Sequence, residues 1–276
     1  MVGFAQRLLK RSYPLTKYIV QRKLGSARGT PLVVFTMSKT ASSAIYNALA
    51  ARGPKPLLRT HMLSPDSLAR AEKNYRETAP DARPTHLFHG FYLSRHLPTP
   101  DAPWLVVTIV RDPIARAASD FFQSAELSGL MKDDAKIAES YERFVRVTGI
   151  PRAIEWFDRE FEPAVGVDVC AHPFDHAQGY DIIDVPQARI LVLRRESLEV
   201  APVALARFLG LPGRVEVGAD NVGAEKGYRD LYEDVLRKVC LSPETLEMAY
   251  SSCVVRHFYR QDEIDQFKGR WQPASS

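Results

Sequence analysis

The sequence predicts an α/β protein: a parallel sheet of four or five strands flanked by helices, with a helical C-terminal part. Three observations point there. Residues 32–36, 104–110 and 188–193 are short, continuous apolar runs, as expected of strands covered on both faces. Each run is followed within a few residues by a helical pattern, the rhythm of strand–helix–strand crossovers. The chain of 276 residues is long enough to bury a substantial core.

Residues 1–29 read as a basic N-terminal arm and residues 30–276 as the α/β domain. In the arm, Arg7, Lys10, Arg11, Lys17, Arg22, Lys23 and Arg28 alternate with Phe4, Leu8, Leu9, Leu15, Tyr18, Ile19 and Val20, and Pro14 divides it. Two readings stand: a peripheral membrane contact in which cations meet anionic lipid, or a solvated arm packed on the domain. The first strand, 32–36, opens after Pro31 and runs into a polar turn. A helix over 42–51 follows, ended by Gly53 and Pro54. Residues 56–61 form a second strand. Ser64 as N-cap and Pro65 at the first helical position start a helix that reaches about residue 77. Residues 85–89 read as a further short strand. The strand 104–110 runs directly into Arg111-Asp112-Pro113 and a helix over 114–127. Residues 135–161 have a helical pattern. Residues 162–187, rich in Asp, His, Pro and Gly, read as irregular. The strand 188–193 precedes a helix over 201–209, a loop over 212–227 and a helical remainder to about residue 271.

Composition sets limits on function. Apolar residues make up 45 % and charged residues 25 %, ordinary for a globular domain in water. A net charge of +4 is too weak to argue for nucleic acid, but it suits a pocket for an anion. Cys170, Cys240 and Cys253 are far apart in the sequence and odd in number, which gives neither a disulfide framework nor a metal-ligand spacing. Free thiols in a reducing compartment are expected. His172 and His176 are four apart, but Pro173 argues against a helical metal pair, and no metal is expected. No apolar run reaches the roughly 18–20 residues that span a bilayer, and no apolar stretch follows the basic start as in a signal peptide. The expectation is a cytoplasmic chain, peripheral at the inner membrane surface only on the membrane reading of its arm.

Two constellations carry chemistry. The first is Met37-Ser38-Lys39-Thr40-Ala41-Ser42-Ser43, between a buried strand and a helix. Backbone N–H groups and the positive end of the helix dipole converge there, a ready anion site. Lys39 adds a cation, and Thr40, Ser42 and Ser43 add hydroxyls. The turn is P-loop-like in position, yet the glycine-rich Walker pattern is absent. A Ser/Thr-rich helix cap with an exposed lysine is the plainer reading. The second is Arg111-Asp112-Pro113-Ile114-Ala115-Arg116-Ala117-Ala118-Ser119. Arg111 lies at the carboxyl end of a buried strand, where parallel sheets bind ligands. Arg111 and Ser119 could grip one phosphate from two sides. A structural Arg–Asp pair is the plainer reading here.

Together the two constellations resemble the nucleotide site of sulfotransferases that use PAPS (3'-phosphoadenylyl sulfate). Lys39-Thr40-Ala41-Ser42-Ser43-Ala44-Ile45 falls on that family's KSGTTWL segment position by position, and Arg111 with Ser119 eight residues later matches its second motif. The resemblance implies that Lys39 contacts the bridging oxygen and the 5'-phosphosulfate, within a loop that includes Ser38 and Ala41. It implies that Thr40, Ser42 and Ser43 hold phosphate oxygens, and that Arg111 and Ser119 hold the 3'-phosphate. Further segments narrow it to a bacterial branch named for capsular polysaccharide synthesis: Trp156-Phe157-Asp158-Arg159-Glu160, Gly166-Val167-Asp168, Pro173-Phe174-Asp175, residues 190–198 and Phe258-Tyr259 through Trp271. Ala41 and Ala44 depart from the family's glycine and aromatic, and an alanine at the glycine position tolerates φ > 0 poorly.

The resemblance also implies a base for the acceptor hydroxyl, for which histidine is suited. His89 lies 22 positions before Arg111, a spacing similar to that of the family's catalytic histidine. His61, in Arg59-Thr60-His61-Met62-Leu63, is the rival. Lys226, in the loop 221–228, falls where relatives return a basic segment to the nucleotide. The expected activity is sulfuryl transfer from PAPS, released as PAP, to a hydroxyl of a carbohydrate. Two alternatives stand beside it: a non-catalytic polysaccharide-assembly protein on the same fold, and a P-loop kinase or NTPase with Asp112 as its Mg²⁺ ligand.

Overall fold

The structure, a computed structural model, describes residues 17, 19–20, 23–24, 29–52, 56–78, 84–128, 140–218 and 241–272. One sheet of five strands is formed by β1 (Leu32–Phe35), β2 (Leu57–Thr60), β3 (Trp104–Val110), β4 (Tyr180–Val185) and β5 (Ala188–Arg194). Their order is β2-β1-β3-β5-β4. The first four in that order run parallel, and β4 pairs antiparallel with β5 at one edge. Successive side chains of a strand point to opposite faces, so a strand buried on both needs apolar residues throughout. In β1, Val33 and Phe35 enter one core, with Val106, Val110, Ile190 and Val192. Leu32 and Val34 enter the other, with Val107, Ile109, Leu191 and Leu193.

Helices cover both faces. They are α1 (Ser42–Ala51), α2 (Pro65–Thr78), α3 (Thr85–Leu93), α4 (Pro113–Ser128), α5 (Ala201–Phe208), α6 (Pro243–Tyr250), α7 (Cys253–Phe258) and α8 (Gln261–Gly269). Ser242 and Ser252 cap α6 and α7 by accepting from the N–H groups of Thr245 and Val255. The expected helix over 135–161 is helical where described but broken into π turns, Val145–Gly149 and Phe157–Phe161, joined by short α segments. A Cβ on Gly149 would lie 2.4 Å from the Cβ of Ala117, so the first π turn seats directly on α4.

Two expected elements differ. Residues 85–89 form the start of helix α3, not a strand. The apolar pattern continues through Leu93, and such runs do not separate strand from buried helix. Pro84 opens the helix, its carbonyl accepting from Leu87 and Phe88. The fifth strand instead comes from the stretch expected to be irregular. Tyr180–Val185 carries Asp181 and Asp184 on a half-exposed edge and closes a tight hairpin through Pro186-Gln187. An edge strand needs only one apolar face, and its acidic residues hid it.

The described part of the arm packs on the domain. Lys17 pairs with Glu72 at 2.9 Å and sits 3.2 Å over the Phe91 ring, and the Tyr92 hydroxyl donates to the Leu24 carbonyl. The rest of the arm lies outside the described residues. Among the described residues no helix is long and apolar enough to cross a membrane. Cys170 and Cys253, distant in sequence, meet side chain to side chain as free thiols, and burial with Cys253 beside it pushes the Cys170 thiol up to about 12.

Candidate functional site

The turn after β1 is held by its threonines. Thr36 Oγ1 donates to the Ile109 carbonyl at 2.8 Å and accepts from the Ile109 N–H at 3.1 Å, which ties β1 to β3. Thr40 Oγ1 donates to the Met37 carbonyl at 2.8 Å, and Thr40 is fully buried. The Thr40 hydroxyl therefore closes the turn instead of facing a ligand, which departs from its expected role on a phosphate oxygen. Lys39 and Ala41 both adopt left-handed backbone, at φ 68° and 67°. Ala41 is the N-cap of α1, and neither a side-chain cap nor an acidic residue serves the first turn. The N–H groups and dipole at that helix start are thus left for an anion.

The β3 side of the turn is lined with arginine. Arg111, directly after β3, donates from Nη1 to the Lys39 carbonyl at 2.6 Å. Arg116 of α4 is 4 % exposed and donates to Ser38 Oγ at 3.3 Å, to Asp120 at 3.3 Å and to the Gly149 carbonyl at 3.4 Å. Burial lowers its pKa, against the opposing pull of Asp120. Arg195 is lowered by burial and by the neighbouring charge of Arg111. Ser119 stands half-buried on α4. Beneath them Asp112 is 1 % exposed. It caps α4 through the Ile114 N–H at 2.9 Å and accepts from the Tyr250 hydroxyl at 3.1 Å. Its backbone N–H donates to Glu196, which also accepts from Tyr259. Burial and then the Glu196 charge push the Asp112 carboxyl up to about 6. A carboxyl turned inward as a helix cap does not serve as the Mg²⁺ ligand that a kinase reading requires.

On the β2 side lies a cluster of histidines. His61 Nδ1 sits 2.7 Å from the Thr36 carbonyl. A carbonyl only accepts, so Nδ1 carries the proton and Nε2 keeps its lone pair. Burial and then the nearby His86 lower the His61 pKa to about 3, which holds the ring neutral. His89 on α3 is 6 % exposed, and its Nδ1 accepts from the Arg59 N–H at 3.0 Å. Its proton is therefore on Nε2, which makes it a donor there and no base. Burial lowers it to about 4. His86, 5.1 Å from His61 between ring centres, also falls to about 4 by burial. The His61 turn is pinned from a distant segment. Trp156 Nε1 donates to the His61 carbonyl at 2.9 Å, and Glu160 accepts from the N–H groups of Leu63 and Ser64 and from Ser64 Oγ.

The fold therefore brings Ser38, Lys39, Ala41, Ser42, Ser43, Arg111 and His61 to the carboxyl ends of β1, β2 and β3, with His89 behind them on α3. Lys226 lies outside the described residues. Among the described residues no group of three His, Cys, Asp or Glu side chains could hold a metal ion. Sequence reasoning missed Arg59 and Arg116 as members of the site. The Arg59-Thr60-His61 triplet and the position of Arg116 within the second constellation were the available signals.

Residues 135–260 match the model of a family described as "Putative capsular polysaccharide synthesis protein". No curated protein matches the chain. Among solved structures, a sulfotransferase from Alicyclobacillus acidocaldarius is similar at 13 % identity and a TM-score of 0.37, over 86 % of this chain and 99 % of that one.

Proposed function

We propose that the chain transfers a sulfuryl group from PAPS to a hydroxyl of a carbohydrate. The observation that carries this reading is the bond from Arg111 to the Lys39 carbonyl, which joins the two anion-binding constellations into one site. The resemblance of the two motifs supports PAPS as the donor, and the matched family's description supports a polysaccharide as the acceptor.

In the proposed reaction Arg111 and Ser119 hold the 3'-phosphate on the β3 side. The start of α1, with Ser42 and Ser43, holds the 5'-phosphosulfate. His61 Nε2 takes the proton from the acceptor hydroxyl as its oxygen bonds to sulfur. Lys39 stabilises the bridging oxygen, which leaves with the bonding pair as the S–O bond breaks and PAP departs. Positioning and fixed charge supply most of such catalysis. His61 is assigned the base in place of His89 because, of the two, only His61 presents a lone pair at Nε2. The reaction belongs to the cytoplasm on this reading, and any contact with an anionic membrane surface falls to arm residues before Lys17, which itself pairs with Glu72.

The test is thermal unfolding with PAP, PAPS and ATP. A ligand at about 100 times its Kd stabilises the folded state by roughly 2.7 kcal/mol. A rise in Tm with PAP and PAPS but not ATP is expected. No rise with millimolar PAP in a well-folded sample would overturn the donor assignment. A rise with ATP alone would favour a kinase or NTPase. PAP binding without transfer to any saccharide acceptor would favour a polysaccharide-assembly role.

A further inference from the structure

The stretch 168–176 lies along α7, and several contacts hold the two together. Asp168 caps a short 3-10 turn, Val169–Ala171, by accepting from the Cys170 N–H at 2.8 Å. Val169 is buried in the core that also takes Val255 and Phe258 of α7. The Phe174 ring meets the Phe258 ring edge-on, 5.1 Å between centres. His176 Nε2 donates to the His257 carbonyl at 3.0 Å, and the His257 ring bonds the backbone of His172. At the other end Ser252 caps α7 and so fixes the backbone of Cys253, its first residue. Cys170 and Cys253 meet there side chain to side chain. The packing that brings the two sulfurs together is thus made by their neighbours, and a bond between them asks for no rearrangement of either segment.

The two thiols differ in access. Cys253 is exposed and Cys170 is half-buried. Burial, then Cys253 and Asp168 beside it, push the Cys170 thiol up to about 12, so it keeps its proton at neutral pH. An oxidant in solution meets Cys253 first, and Cys170 is placed to resolve what forms there. No step of the proposed sulfuryl transfer uses either sulfur. We propose that Cys170 and Cys253 form a thiol-modification site, which a peroxide converts reversibly into an intramolecular disulfide. The Cys253 sulfur attacks the peroxide O–O bond, keeps one oxygen as sulfenic acid and releases the other as water. The Cys170 sulfur then attacks the Cys253 sulfur. The S–S bond forms, the S–O bond breaks, and the departing hydroxide takes the Cys170 proton as a second water. The thiol pair loses two electrons and the peroxide gains them. A dithiol restores the reduced pair by exchange. In a reducing compartment such a bond is a transient signal and not a permanent staple. Its effect reaches the candidate site, because α7 is bounded by Tyr250 and Tyr259, whose hydroxyls hold Asp112 and Glu196. A covalent bond at Cys253 braces the segment that carries both tyrosines.

The test treats the folded full chain with hydrogen peroxide and maps its peptides by mass spectrometry without reduction, for wild type and for Cys240→Ser. A linked Cys170–Cys253 peptide pair is expected in both and should disappear with dithiothreitol. The oxidised protein should melt several degrees above the reduced one. Cys170→Ser should stop at sulfenic acid on Cys253, trapped by dimedone, and Cys253→Ser should leave Cys170 unmodified; neither should gain in Tm on oxidation. Oxygenated Cys253 with no link, a link to Cys240 in place of Cys170, or a link that forms only after unfolding in urea would each overturn the assignment. An unchanged or lower Tm on linkage would show that the bond strains the fold, and overturns it as well. None of these readouts depends on nucleotide, so the sulfotransferase reading and this inference stand or fall separately.

Discussion

Nη1 of Arg111 donates to the carbonyl oxygen of Lys39 at 2.6 Å, so a guanidinium at the end of β3 braces the turn that ends β1. The arginine thus has two tasks in the proposed site, bracing and anion binding. Arg111→Ala should weaken PAP by about 1.5–3 kcal/mol. Adenosine 5'-phosphosulfate lacks the 3'-phosphate and should be weakened less. Ser119→Ala should weaken PAP by a smaller amount and leave adenosine 5'-phosphosulfate unchanged, since among the described residues no bond ties Ser119 to the turn. Titration calorimetry with both nucleotides measures this. Equal losses on both for Arg111→Ala would reduce its role to the brace.

His61 and His89 separate by tautomer. His61→Ala should lower single-turnover transfer by roughly 10²–10⁴ while PAP affinity persists. His89→Ala should keep near wild-type chemistry and lose stability, because the Arg59 N–H loses its acceptor. Lys39→Ala should lower transfer by about 10²–10³. With the His61 pKa at about 3, the rate should stay flat between pH 7 and 5 for as long as the protein is folded. An inactive His89→Ala beside an active His61→Ala would reverse the assignment.

Acid should unfold the protein through its histidines. The unfolded chain binds protons on them near pH 6.5, whereas the folded chain refuses them until about 4 for His86 and His89 and about 3 for His61. Their contribution is present above 6.5 and lost as pH falls. Asp112 acts in the opposite sense. Its ordinary value of 3.8 rises to about 6, so its contribution is present below 3.8 and lost as pH rises through 6. Asp112→Asn keeps the cap oxygen and should stabilise the protein at pH 8 by up to about 3 kcal/mol, with the gain gone below pH 4. Urea unfolding of wild type and variant across this range checks both signs.

Ala41 holds a glycine's backbone at φ 67°. Left-handed backbone costs about 1–2 kcal/mol for a residue with a Cβ. Ala41→Gly removes that cost but gains about 0.4–1 kcal/mol of unfolded-state freedom, so stability should rise by roughly 0–1.6 kcal/mol. PAP binding should be retained. Ala41→Val should destabilise strongly, because a β-branched side chain fits that region worst. A stabilised valine variant would contradict the backbone geometry.

The sequence made β1, β3 and β5 legible because they are apolar on both faces, and α1 and α2 because their flanking punctuation is strong. It hid β4, whose edge position allows acidic residues, and it disguised α3, whose apolar run suits either state. In the candidate site, Lys39 and Arg111 were legible from their place at strand ends. Arg59 was visible only as part of the Arg59-Thr60-His61 triplet, and its bond to Ser43 depends on β2 lying beside β1. Spacing alone favours His89 over His61. Which ring nitrogen carries the proton depends on a backbone partner across the fold, and spacing cannot report it.

Glu160 accepts three bonds from Leu63 and Ser64, across 96 or 97 residues of chain. At ribosomal rates that gap lasts roughly 5–20 s. During that interval the segment bearing His61 has been made, but its anchors Trp156 and Glu160 have not. The nascent chain likewise carries β3 before β5 exists to cover its open edge. Every residue given a step in the proposed reaction precedes residue 120, yet a product that stops before residue 156 would display those residues on an unfinished scaffold. Synthesis from the N-terminus thus makes the groups that do the chemistry early and fixes their geometry late.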